Sequence, residues 1–408
     1  MKPSAIVGVG ALLLVGIALS AVAVRGLSLR QRHQSLTAEL QRRVAEHASV
    51  HARWAPKPLR GESHEGDMLA EQLQVADQLK PKQGLFAQKD PGCAGGEEER
   101  TFLQTHAAQL GTLRQAARAS SADTPLPTEY TLDGPASLPL VRVHQVLIAA
   151  AALARAADCL AITADAIRLA QAVVPGAGLD GTQQASVSIN RALIAMSHCA
   201  RRASRSELVQ AGQELSSLLE SHPSLARGDG LEREHLESAG RFLSYARFDW
   251  LLPTNRLEYE EFMIGGQLND AAQWFLDQQE QAREIGKSGY PKAAELIRGL
   301  AQKQAATNNP LLMIAEQSEA ASVRDQTALA RMRITSHWLK LLTSNEPRAE
   351  AAKVASLEDP YSGLPLRADH NAESGVRVWS VGPNGQDDAG AGDDIAVTER
   401  SADPCSAK

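Results

Sequence analysis

Four carboxylates and the Asn384 carboxamide fall within eleven residues near the C-terminus, as Asn384, Asp387, Asp388, Asp393 and Asp394, with no lysine or arginine between Arg377 and Arg400. Crowded like charges repel, and a hard cation relieves the repulsion by taking oxygen ligands from aspartate, asparagine and backbone carbonyls. The glycines among them, Gly382, Gly385, Gly390 and Gly392, let carbonyls turn inward. A solvated acidic turn, rich in glycine and aspartate for conformational reasons alone, is the competing account.

The four cysteines, Cys93, Cys159, Cys199 and Cys405, form no CxxC pair, so zinc and thioredoxin-type chemistry have no foothold. If Cys159 and Cys199 lie on the two arms of a helical hairpin, their sequence midpoint falls inside the Pro175 to Gly181 turn, PGAGLDG. Both would then sit at one height, as a disulfide with Cα atoms within about 7 Å requires. An oxidising compartment favours the bridge, whereas two buried thiols are the alternative. Cys93 and Cys405 lie in loop or tail and are read as unpaired.

No catalytic constellation is legible. The eleven histidines include no HExxH, and Glu232 with His235 is a single ExxH where a di-iron bundle wants two. Ser197-His198 lacks an orienting group, and GxSxG, P-loop and dinucleotide fingerprints are absent. An active site assembled from dispersed residues stays open. A net charge of -6 gives no electrostatic basis for binding nucleic acid.

The elements that must position these residues are mostly helical. Apolar residues make up 43% of the chain and aromatics only 4%, a bias toward helix. Residues 1–4 form a short tail. Ala5 to Val24 is an uncharged apolar run whose 20 residues span about 30 Å as a helix, enough for a membrane. It reads as a transmembrane anchor, with a signal peptide cleaved after Ala21-Val22-Ala23 as the other reading. The arginines after the run favour a cytoplasmic bulk, but long domains translocate largely regardless of charge, and the bulk is placed outside.

Residues 25–139 read as a stalk helix, with the stripe Leu29, Leu36, Leu40 and Val44, followed by a loop-rich connector. Residues 140–356 read as a helical bundle. Its first helix is expected to run unbroken from Leu140 to about Val174, and the second carries Ile189, Leu193, Met196 and Ala200. A third opens at a Ser204/Glu207 capping box and carries Leu208, Ala211, Leu215 and Leu218. An Asp229/Glu232 box is expected to open another helix. The last, from about Leu311 to Lys353 and open to a break along its length, aligns Leu329, Met332, Ser336, Leu339 and Leu342. Residues 357–398 change to a β pattern, with strands expected near Leu366 to Ala368, at Val376 to Val381 and at Ile395 to Thr398; residues 399–408 read as a disordered tail. Trp379 is expected to lie over the preceding helix. The fold class is therefore mostly α, with an N-terminal membrane helix, a multi-helix bundle and a small antiparallel β element.

Asp359-Pro-x-x-Gly, a strand ending in Ser380-Val-Gly-x-Asn-Gly, and the closing Asp393-Asp394-Ile395 together resemble the C-terminal calcium loop of the major pseudopilins of type II secretion systems. They equally resemble a cassette that ends long, uncharacterised bacterial envelope proteins. The resemblance covers about residues 329–398. By position it implies a calcium ion held by Asn384, Asp387, Asp388, Asp393 and Asp394. Two departures stand out: the prepilin Gly-Phe-Thr-Leu-x-Glu signature is missing, and Asn384 replaces the usual aspartate. Gly390 to Val397 also resembles one RTX-type calcium nonapeptide, but a single copy cannot stack into a β-roll.

These features lead to the expectation of an inner-membrane protein with a periplasmic bulk, structural or interactive in role, with envelope protein partners and no nucleic acid. The alternative is a pseudopilin-like component of a secretion or pilus apparatus.

Overall fold

The computed structural model describes residues 3–50, 96–119, 137–173, 178–222, 266–288, 318–345, 357–371 and 375–399, with a few single positions between 239 and 302. The architecture is mostly helical with one small antiparallel sheet. Nine helices lie among the described residues: α1 Pro3–Val50, α2 Glu97–Thr105, α3 Ala107–Ala119, α4 Ser137–Leu153, α5 Ala156–Val173, α6 Gly178–Ala200, α7 Arg205–Glu220, α8 Gln267–Lys287 and α9 Ser318–Thr343. The sheet is a meander in the order β1 Arg367–Asn371, β2 Gly375–Ser380 and β3 Ile395–Thr398.

α6 is the central helix, packing on α4, α5 and α9, while α9 packs on α7 and carries β2 and β3 on its flank. The stripes of α6 and α7 are inside as their spacing requires: Ile189, Leu193 and Met196 are wholly buried, as is Leu215. Ser204 caps α7 in both directions, its hydroxyl accepting from the Glu207 amide and its own amide donating to the Glu207 carboxylate. On α9, Leu329, Met332, Ser336 and Leu339 are buried and Leu342 is half-buried. Cys159 on α5 and Cys199 on α6 face each other and are bonded, with Cα atoms 5.7 Å apart. Both are fully buried.

The structure departs from the expected pattern in several places. The helix expected to be unbroken from Leu140 is two, α4 and α5, divided at Ala154 and Arg155. Ala154 N donates to Ala151 O at 3.1 Å to close one, and Arg155 O accepts from Cys159 N at 2.7 Å to open the next. No proline or glycine marks the break, because α4 and α5 fold back on each other and packing decides it. The stretch read as connector contributes to the core: Leu110, Leu113, Ala116 and Ala117 of α3 belong to it. α9 stops at Thr343, ten residues short of Lys353, where Arg205 of α7 takes the Thr343 carbonyl at 2.5 Å and the Asn345 side-chain oxygen at 2.7 Å. The Asp229/Glu232 helix, the turn residues Pro175 to Ala177, Cys93, Cys405 and the 400–408 tail lie outside the described residues.

α1 continues the N-terminal run into the stalk as one helix, and its stripe packs on α8. Asn269 Nδ2 donates to Leu29 O at 3.0 Å and Arg43 donates to Gln279 Oε1 at 3.0 Å, so the two helices run parallel. Leu40 and His33 fill the seam. Among the described residues no helix is long and apolar enough to cross a membrane, and most side chains of Ala5 to Val24 lie outside that set.

Candidate metal centre

The cassette is built on Asp359. Gly363 N donates to Asp359 O at 2.9 Å and Asp359 N to Leu364 O at 2.7 Å, closing the turn Asp359 to Gly363. The carboxylate is fully buried and accepts three bonds: Tyr361 N at 2.9 Å and Ser380 Oγ at 2.7 Å on Oδ1, and Val381 N at 3.0 Å on Oδ2. It thus joins the turn to the end of β2. Tyr361 ties the same turn to α9, its hydroxyl donating to Val323 O at 3.1 Å and lying 2.6 Å from Thr327 Oγ1. An aspartate whose oxygen bonds the amide two residues on is an Asx-turn, and the Asp-Pro-x-x-Gly pattern carried that signal.

β2 presents Val376 and Val378 to the core against α9. Trp379 therefore faces the other way. Its expected place over the helix is overturned by strand alternation, since it neighbours Val378 and points to the opposite face. There its Nε1 donates to Asp387 Oδ1 at 3.0 Å and the Arg377 guanidinium lies over its ring at 5.3 Å.

The loop between β2 and β3 is pinned at its base. A side chain at Gly382 (φ 65°) would run into the backbone of Asp393 and Asp394, so the chain can cross itself only with glycine there. Asn384 N donates to Asp393 Oδ2 at 2.9 Å, and Gln386 N donates to Asn384 Oδ1 at 2.6 Å. Further on, Asp388 Oδ2 occupies the space a Cβ at Gly392 (φ 59°) would need.

Three of the five expected ligands converge. Oxygens of Asp388, Asp393 and Asp394 lie within 4.8 Å of one another, the first two residues exposed and the third half-buried. Asp387 turns away. It accepts from Trp379 Nε1, from Ala389 N at 3.1 Å and from Arg367 Nε at 3.1 Å. The Trp379 bond foremost, then the Ala389 and Arg367 bonds, lower its pKa against the opposing effect of desolvation. Asn384 turns its amide nitrogen toward Asp388 Oδ2, 3.4 Å away, and commits its oxygen to Gln386. Asp387 thus stands outside the converging carboxylates, and Asn384 borders them through Asp388.

Within the trio Asp394 is distinctive. Its Oδ2 accepts from Gly390 N at 2.6 Å, whereas its Oδ1 is sealed from solvent without a hydrogen-bond partner among the described residues. Burial, with repulsion from Asp387 and Asp388, raises its pKa although the Gly390 amide opposes this. An all-oxygen set with one orphaned carboxylate oxygen fits a hard cation of the calcium type, with carbonyls or water completing the shell. Positive charge does approach the loop, from the sheet: Arg367 reaches Asp387 and Arg377 stands beside Gly390. The absence of a cation between Arg377 and Arg400 in sequence therefore overstates the loop's isolation.

No family model, curated protein or solved structure matches this chain. The likeness to the pseudopilin and envelope cassettes rests on the motif residues themselves.

Several polar groups that sequence reading singled out, or missed, have structural roles in the bundle. Asp165, fully buried on α5, accepts from Arg114 at 2.7 Å, Arg118 at 2.7 and 2.9 Å and Arg168 at 3.2 Å, and Arg168 also pairs with Glu214 at 2.6 Å. This network binds α3, α5 and α7, and partners about 50 residues away hid it from sequence reading. His144 is pushed down to about 3, by burial first and the Arg191 charge second, so it sits neutral in the core. His222 lies 3.4 Å from Asp325, and both side chains are 1% exposed. Ser197 commits its hydroxyl to Ile194 O at 2.7 Å. Glu232 and His235 lie outside the described residues.

Proposed function

We propose that this chain is a tethered scaffold of the bacterial cell envelope, held in the inner membrane by Ala5 to Val24, with its bundle on the periplasmic side and its β cassette holding a calcium ion. The convergence of Asp388, Asp393 and Asp394, with the partnerless Oδ1 of Asp394 among them, carries the calcium reading. The apolar run and the bonded Cys159–Cys199 pair support the tether and the oxidising compartment. In this role the ion replaces like-charge repulsion with attraction and stiffens the loop that closes the sheet. The body then serves as a partner-binding surface. The pseudopilin-like alternative lacks the prepilin signature.

Calorimetry with calcium on the full chain in detergent tests the reading. Binding in the millimolar range or tighter is expected, with a calcium-dependent rise in Tm that Asp394→Asn abolishes. No heat and no change in Tm would remove the ion from the proposal. A reporter enzyme active only outside the cytoplasm, fused after residue 399, tests the topology, and silence there would place the bulk inside.

A further inference from the structure

Five described arginines, Arg42, Arg43, Arg114, Arg118 and Arg168, reach a carboxylate on or between helices. Arg331 on α9 is different. It is half-buried, its Nε is sealed from solvent without a partner, and no carboxylate among the described residues comes within ion-pairing distance of it. Burial accordingly lowers its pKa to about 10, with Tyr361 of the cassette turn opposing the shift.

Two more donors stand on the same face at the next turns of the helix. Thr335 and Trp338 are fully buried, and Thr335 Oγ1 and Trp338 Nε1 have no hydrogen-bond partner among the described residues. Threonines 163, 327 and 343 give their hydroxyls to the carbonyl one turn back; Thr335 does not. Positions four and three apart on a helix are neighbours, so the Arg331 Nε–H, the Thr335 hydroxyl and the Trp338 indole N–H form a column of donors without partners among the described residues. A buried cation without a counter-charge is costly, and a buried donor without an acceptor adds to the cost. What meets both demands is an acceptor with negative charge.

We propose that Arg331 is the receptor of a small oxyanion, a carboxylate or phosphate group entering beside Tyr361, with Thr335 and Trp338 supplying donors behind it. A guanidinium suits either group because its N–H donors form a planar fork. The site is independent of the acidic loop, which shares none of its residues and calls for a cation.

The test is thermal unfolding of the full chain in detergent with inorganic phosphate, with acetate, and with chloride at matched ionic strength. The wild type is expected to gain about 2–4 °C over chloride with phosphate or acetate, whichever it accepts, at saturating concentration. Arg331→Met should lose that gain, while Lys340→Met, at an exposed position on the same helix, should keep it. In chloride Arg331→Met should match or exceed the wild type in Tm, because an uncompensated charge is gone. If Arg331→Met does not fold, Arg331→Lys keeps the charge without the fork and should weaken the gain at least tenfold in concentration. A wild type indifferent to both oxyanions, which would leave trapped water as the donors' partner, overturns the proposal. So does a gain that survives in Arg331→Met, or one that Arg331→Lys reaches at the wild-type concentration.

Discussion

Substituting Asp359 probes whether one buried carboxylate holds the cassette on the bundle. Its oxygens take two backbone amides, Tyr361 N at 2.9 Å and Val381 N at 3.0 Å, and one hydroxyl, Ser380 Oγ at 2.7 Å. Bonds to a charged acceptor contribute about 1.5–3 kcal/mol each, but three sharing one group do not add. Asp359→Ala leaves the two amides without an acceptor at a fully buried position, so a loss of about 3–6 kcal/mol follows. Asp359→Asn is the sharper change. It keeps the volume and one acceptor oxygen, but one of the two former acceptor positions now carries an NH₂ facing a donor, and about 2–4 kcal/mol should be lost. Ser380→Ala removes the bond to Asp359 and the longer one its Oγ accepts from Gly382 N at 3.4 Å, and should cost about 1–2 kcal/mol. Urea denaturation gives the totals, and hydrogen exchange gives the location. The Val381 amide should exchange about 30- to 1,000-fold faster in Asp359→Asn, and amides of α5 and α6 should change less. An Asp359→Asn protein within about 1 kcal/mol of wild type, with Val381 still protected, would refute the clamp.

The Asp165 network makes a similar demand inside the bundle. Asp165→Ala removes the shared acceptor of three guanidiniums at a fully buried position, with Arg168 keeping Glu214, and should cost about 3–5 kcal/mol in urea denaturation, with Arg118, half exposed, contributing least. The α1–α8 seam should respond to acid. Burial lowers the pKa of His33, with the Asn269 hydrogen bond opposing, so the folded pair holds it neutral while the unfolded chain protonates at the ordinary value near 6.5. Stability from this group is therefore fully present above about pH 6.5 and is lost as pH falls toward the folded pKa, by up to about 1.4 kcal/mol per unit. Hydrogen exchange in α8 at about pH 7.5 and about pH 5.5, on either side of the ordinary value, reads the effect. His33→Leu should flatten it, and unchanged protection in the wild type would count against the seam as the acid-sensitive point.

What the sequence disclosed, and what it withheld, divides by the range of the interaction. The Ser204/Glu207 cap, the stripes of α6 and α7, and the strand at 376 to 380 are encoded within a few residues, so spacing alone revealed them. The break at Ala154 is not local. Alanine supplies helix propensity without punctuation, and the end of α4 is set by the surface it must meet on α5. The acidic loop shows the same division inside one site. Its composition announced a cluster of carboxylates, but which of them converge depends on partners delivered by the sheet. Arg367 pairs across to Trp379 of β2, and that register brings a guanidinium and an indole N–H to Asp387 together. With Asp387 so engaged, Asp388, Asp393 and Asp394 are left facing one another. A ligand set carried over by position cannot anticipate that choice, because it is made by the strand opposite. The same logic concealed Asp359, whose bonds at Ser380 and Val381 lie more than twenty residues away and exist only once β2 has docked on α9. The cassette is thus organised from its buried aspartate outward, with the candidate ion site at its exposed end.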